Sequence, residues 1–200
     1  MKLYYAPGAC SLNPHIVLRE AGLKFDLEKV DLGSHKTAKG TDYYSINPKG
    51  YVPALELDNG QVLTENPAIV QYIADQKPET KLAPANGTLE RYRLQEWLGY
   101  IGTELHKVFG PLWNPNLPEA EKKATHDKLK KRFEFVAKNL EGKQFLMGDH
   151  FTAPDAYLFV MLAWSQHLKV DLSAWPVLKS YHERMAARPA VKAALEAEKA

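Results

Sequence analysis

At 200 residues, with 45% hydrophobic and 25% charged side chains, the chain has an ordinary soluble globular balance and room for one large domain or two small ones. A net charge of +2 is too small to argue for nucleic acid or an anionic membrane as partner. No apolar run approaches the ~20 residues of a membrane span, and a single cysteine, Cys10, excludes an internal disulfide and any cysteine-rich metal site.

Residues 2–5 read as a strand. Residues 11–21 read as a helix, with Pro14 tolerated in its first turn and Gly22 as its stop. Residues 25–30 alternate as a second strand, and residues 34–46 are irregular, with room for a short helix. Residues 54–57 and 61–63 flank Asp58-Asn59-Gly60, a strong hairpin signal. A helix follows over 67–76, so the order is β-α-β-α-β-β-α, a small mixed α/β unit.

Residues 77–87 carry two prolines and a glycine and read as a linker. Every periodic segment after it is helical. Residues 88–110 show the clearest stripe, at Leu94, Leu98, Ile101, Leu105, Val108 and Leu112. A charged-faced helix is expected over 119–140, a very apolar core helix over 153–168, and two more over 175–187 and 189–198. Thr152 and Asp155 make a capping box with Pro154 in the first turn, and Phe151 is placed to staple onto the apolar run.

Val52-Pro53 is an extended pair whose first residue is free to offer its own N–H and C=O to a peptide-like ligand. Glu65 and Asn66 stand where a helix begins, and the N–H groups there attract an anion. Cys10 precedes the first helix, a position that favours a thiolate. No second cysteine completes a dithiol, so a one-thiol scheme needs an external thiol. Tyr4 and Tyr5 point to opposite faces of their strand and read as packing groups first, thiolate donors second. His106 shares a helix face with Gly99, Thr103 and Gly110, which together with Gly102 suggest room for a ligand or another backbone. His35, Lys36 and Lys39 form a polar loop that could meet a carboxylate. The other histidines lack metal-ligand spacing, so no metal is expected.

Read together, these residues resemble the cytosolic glutathione transferases over the whole chain, and most of all the bacterial beta class. The likeness rests on Met1-Lys2-Leu3-Tyr4, Pro7-Gly8-Ala9-Cys10-Ser11, Asn47-Pro48-Lys49-Gly50, Val52-Pro53-Ala54-Leu55, Thr64-Glu65, Glu104-Leu105-His106-Lys107 and residues 152–158. The resemblance implies an α/β thioredoxin-like N-terminal domain, residues 1–80, that binds glutathione. It implies an all-helical domain, residues 88–200, that completes the electrophile site and the interface of a cytoplasmic homodimer. It implies a cis Pro53, pairing of Val52 with the cysteinyl backbone of glutathione, and a γ-glutamyl end held by Glu65 and Asn66. Cys10 would face the glutathione sulfur, His106 would line the site, and Thr103 and Glu104 would reach the partner subunit's glutathione. The implied activity is detoxifying conjugation of glutathione to a small hydrophobic electrophile, with disulfide exchange through Cys10 as a second possibility. Glutathione is co-substrate and no cofactor is implied. Trp113 and Trp164 are expected to line the electrophile pocket. Three letters depart from the beta-class pattern: Asn66 for a frequent serine, His35 for a frequent lysine, Gly99 for a frequent asparagine. The zeta-class Ser-Ser-Cys motif is absent, which argues against maleylacetoacetate isomerase. A non-catalytic binding or regulatory protein is the alternative.

Overall fold

Five short strands, β1 (Lys2–Tyr5), β2 (Asp26–Asp31), β3 (Lys36–Thr37), β4 (Ala54–Glu56) and β5 (Val62–Thr64), form one sheet in the order β3-β2-β1-β4-β5 in the computed structural model, which describes residues 1–199. β1 and β2 are parallel and need a crossover, which helix α1 (Leu12–Glu20) supplies. Gly22, at φ +63°, ends that crossover in the left-handed region open to glycine. β4 and β5 are the two arms of the expected hairpin, and helix α2 (Asn66–Gln76) follows directly. Leu3, Ile16, Leu18, Leu55, Ile69 and Ile73 are fully buried here. Stretch 34–46 holds β3 and a single 3-10 turn, Tyr43–Ser45, in place of the expected short helix. A two-residue strand is too short for alternation to reveal, and the observed order is β-α-β-β-β-β-α.

A second compact unit spans Pro84–Ala187. Helix α3 (Leu89–Tyr100) is capped by the Thr88 hydroxyl, which accepts from Arg91 N–H at 3.2 Å. The expected single helix over 88–110 then changes pitch. Residues Ile101–His106 form a π-helical turn, followed by the short α4 (Lys107–Phe109) and a 3-10 turn, Gly110–Trp113. A π turn holds one more residue than an α turn and moves the apolar stripe by one position. Leu94, Leu98, Ile101 and Leu105 are fully buried as expected, but the next buried residue is Phe109, with Val108 only half-buried. α5 (Glu119–Leu140), α6 (Ala153–His167) and α7 (Pro176–Ala186) complete the unit. α6 is buried on nearly every side, as an all-round apolar helix must be.

The expected capping box at the start of α6 is present. The Asp155 carboxylate accepts Thr152 N–H, Thr152 Oγ1–H and Leu146 N–H at 2.9 Å each, and the Tyr181 hydroxyl at 2.7 Å. Phe151, expected as a staple, lies edge-on to Phe145 at 6.2 Å.

The final helix, α8 (Pro189–Ala197), belongs to the first unit, Met1–Ala83 with the stretch from Arg188 onward, and not to a helical domain running from 88 to 200. Contacts between distant segments decide this. Val191 and Ala194 are fully buried, and Arg188 pairs with Glu20 at 2.6 and 3.0 Å. Glu198 accepts from Gly8 N–H at 3.0 Å and lies 2.8 Å from His15 Nδ1. Arg19 donates to His15 Nε2 at 2.9 Å, so the His15 proton sits on Nδ1 and faces Glu198. Among the described residues no helix is long and apolar enough to cross a membrane.

Candidate functional site

Strand register collects the expected binding residues of the first unit. Tyr4 lies opposite Ala54, Ala54 opposite Thr64, and β2 runs parallel to β1. The segments after β1, before β4, after β5 and between β2 and β3 therefore emerge at one end of the sheet. Cys10, Val52-Pro53, Glu65-Asn66 and His35 all lie on those segments.

The Val52–Pro53 peptide bond is cis, as the resemblance implies. Val52 C=O accepts the Cys10 thiol at 3.2 Å, and Val52 N–H bonds to nothing among the described residues. A carbonyl oxygen has two lone pairs, so this one can serve a second donor. The residue before Val52 is anchored from below. Tyr51 C=O accepts from Asn47 Nδ2 at 2.7 Å and from the Tyr43 hydroxyl at 2.9 Å. Both donors are buried, and burial pushes the Tyr43 phenol up to about 12. Gly50 closes the Asn47 turn at φ +72°, where a Cβ would stand 2.8 Å from the Tyr44 ring. Only glycine fits there.

Glu65 sits ahead of α2 at φ +71°, a region costly for a residue with a side chain, and such outliers cluster at ligand sites. Its carboxylate pairs with Lys49 Nζ at 2.7 Å, and Lys49 also donates to Thr64 Oγ1 at 2.9 Å. No side chain caps α2. Asn66 is buried, and its Oδ1 accepts from Asn13 Nδ2 at 3.0 Å. The donors left at this helix end are the Asn66 amide NH2 and the Asn66 backbone N–H, since Pro67 has none and Ala68 N–H donates to Glu65 C=O at 3.1 Å; both suit an anion. His35, at φ +52°, packs tilted against Tyr44 at 4.5 Å between ring centroids, and its buried Nδ1 has no hydrogen-bond partner.

The other expected residues lie on the π turn of the second unit. Thr103 Oγ1 donates back to Gly99 C=O at 2.9 Å, and Glu104 pairs with Arg132 at 3.0 Å. His106 Nδ1 lies 2.6 Å from the Tyr157 hydroxyl, and its ring meets Trp164 edge-on at 5.0 Å. Trp113 continues the cluster, edge-on to Trp164 at 5.2 Å and stacked on His167 at 5.7 Å. Trp113 is 46% exposed, so the cluster presents one indole to solvent. The glycines give a plainer picture than the sequence suggests. Gly99 and Gly110 have nothing within 4 Å of an added Cβ, and Gly102 meets only Tyr157 at ordinary contact distance. Tyr4 and Tyr5 are buried packing groups, with the Tyr4 hydroxyl bonded to Glu56.

Comparison with known proteins rests on both halves of the chain. The family model described as glutathione S-transferase, N-terminal domain, matches residues 8–76, and that described as glutathione S-transferase, C-terminal domain, matches residues 100–189. The chain belongs to the glutathione S-transferase family. The transferase is 46% identical over 198 residues to glutathione S-transferase GstA of Escherichia coli O157:H7, covering 99% of this chain and 98% of that one. A sphingomonad glutathione S-transferase solved with glutathione is 49% identical, with a TM-score of 0.96 over 100% of this chain and 99% of that one. The beta-class enzyme of Sphingomonas chungbukensis is 52% identical, with a TM-score of 0.95 over 99% and 98%. The expected glutathione transferase fold and beta-class likeness are therefore met.

Several groups that hold the candidate residues in place escape a reading of the letters. Asn47-Pro48-Lys49-Gly50 is visible as a turn, but its work is to hold the Tyr51 carbonyl and deliver Lys49 to Glu65. Tyr157 and Asn13 lie inside apolar helical runs, and nothing in their spacing marks them as partners of His106 and Asn66.

Proposed function

We propose that this glutathione transferase lays glutathione in extended form across the cis-Pro53 end of its sheet and directs the peptide's thiolate at a small hydrophobic electrophile. The observation that carries this reading is the Val52 backbone, with an unpaired N–H and a C=O already beside the Cys10 sulfur. The cysteinyl backbone of glutathione matches that donor and acceptor. Its γ-glutamyl carboxylate matches the donors at the start of α2, and its ammonium matches the Glu65 carboxylate. Thiolate is the reacting form of the sulfur, so stabilising it is the main catalytic task. His106, held at Nδ1 by the Tyr157 hydroxyl, supplies an imidazole for proton traffic or hydrogen bonding. The exposed Trp113 indole suits a planar electrophile.

The finer parts of the proposal are conjugation of the type that forms a thioether, a cytoplasmic homodimer, and a partner-reaching role for Thr103 and Glu104. Exposed Leu89, Tyr92 and Phe135 on α3 and α5 favour a covered face there. Disulfide exchange is the second activity. Cys10 thiolate attacks oxidised glutathione, forms a mixed disulfide and releases one glutathione thiolate.

Calorimetry with glutathione and turnover of a chlorodinitrobenzene-type electrophile test the main reading. Binding with turnover is expected; binding without turnover moves the protein to a carrier role, and no binding removes the proposal. Cys10→Ala is expected to abolish any adduct with oxidised glutathione by mass spectrometry and to leave part of the conjugation.

A further inference from the structure

The geometry assigns Asn13 as the residue that decides which end of the Asn66 amide faces the ligand, making it a specificity determinant for the γ-glutamyl end; this rests on the glutathione reading above. Asn13 lies on α1 and is fully buried. Its Nδ2 donates to Asn66 Oδ1 at 3.0 Å, while its own Oδ1 has no partner. A buried amide with an orphaned carbonyl oxygen destabilises the fold relative to an apolar residue of similar shape. Packing alone therefore gives no reason for an asparagine at this position.

Directionality gives one. An asparagine amide accepts on one side and donates on the other. Bonded inward through Oδ1, Asn66 shows NH2 outward, beside the backbone N–H of an α2 terminus that no side chain caps. Both groups that Asn66 presents there, its NH2 and its backbone N–H, are donors, as a carboxylate requires. Turned over, Asn66 would show its carbonyl oxygen and repel the same carboxylate. Asn13 donates from below and holds the first arrangement.

Asn13→Asp forces the reversal. A carboxylate can only accept, so it draws the Asn66 NH2 inward. Affinities of the full chain for S-hexylglutathione and for S-hexylcysteinylglycine, which lacks the γ-glutamyl group, are measured by calorimetry. Asn13→Asp is expected to weaken S-hexylglutathione about tenfold and Asn13→Ala about threefold, with S-hexylcysteinylglycine unchanged in both. In an Asn66→Ala background Asn13→Asp should add nothing, which separates reorientation from simple charge repulsion. Equal S-hexylglutathione affinity in the wild type and Asn13→Asp overturns the assignment. So does an equal loss for the truncated ligand, or a loss that persists without the Asn66 amide. If Asn13→Asp does not fold, Asn13→Ala carries the same comparison at its smaller magnitude. A wild type that binds no S-hexylglutathione overturns the function reading itself.

Discussion

The start of α2 and the start of α6 are written in similar letters, Thr64-Glu65-Asn66-Pro67 against Thr152-Ala153-Pro154-Asp155, and they fold into opposite devices. At α6 the chain answers its own donors. Asp155 takes two backbone N–H groups and two hydroxyls inside the core. At α2 no side chain caps the helix, Glu65 is turned to φ +71°, and its carboxylate is 68% exposed beside Lys49. A closed terminus supports the fold, whereas an open one keeps donors for a ligand. The difference lies in where the acidic residue stands: three places past the threonine it folds back as a cap, one place past it stays outside.

Asp155→Ala should give the largest effect, about 3 kcal/mol of lost stability by urea unfolding, because it orphans several buried donors at once. A loss under ~1 kcal/mol would erase the contrast with α2. Burial pushes the Asp155 carboxyl above the ordinary carboxylate value, despite the four donors that hold it down. The folded state then holds this proton more tightly than the unfolded chain, so the group's contribution to stability falls as pH rises above about 4. Asp155→Asn should flatten that slope in a series of urea midpoints.

Glu65→Ala should do the reverse. Its ion pair with Lys49 is solvent-exposed, so stability should move by less than about 1 kcal/mol while glutathione affinity falls about thirtyfold in calorimetry. Asn66→Ala should weaken glutathione about tenfold. Thr88→Ala at the start of α3, a capped but exposed terminus, should cost about 1 kcal/mol of stability and leave glutathione affinity unchanged. A fall in glutathione affinity there would show that closed and open termini are not separable by function.

Where a feature is local, its letters announce it. Asp58-Asn59-Gly60 makes the hairpin, Thr152 and Asp155 make the box, and Gly22 ends α1. Where a feature depends on contacts between distant segments, they are silent. α8 joins the first unit through Glu20, His15 and Gly8, residues more than 160 positions away. Lys49 reaches Glu65 only because β4 and β5 fold back as a hairpin. The π turn is hidden for another reason: it adds a residue to one turn without changing the type of residue present.

That surplus residue works like a tooth inserted in a gear. Everything after Leu105 is turned by about 100° about the helix axis relative to an unbroken α-helix of the same letters. Phe109 faces inward because of it, and the Gly110–Trp113 turn that carries the exposed indole is aimed by the same offset. The direction in which the exposed indole points is thus set by one extra residue in the preceding turn.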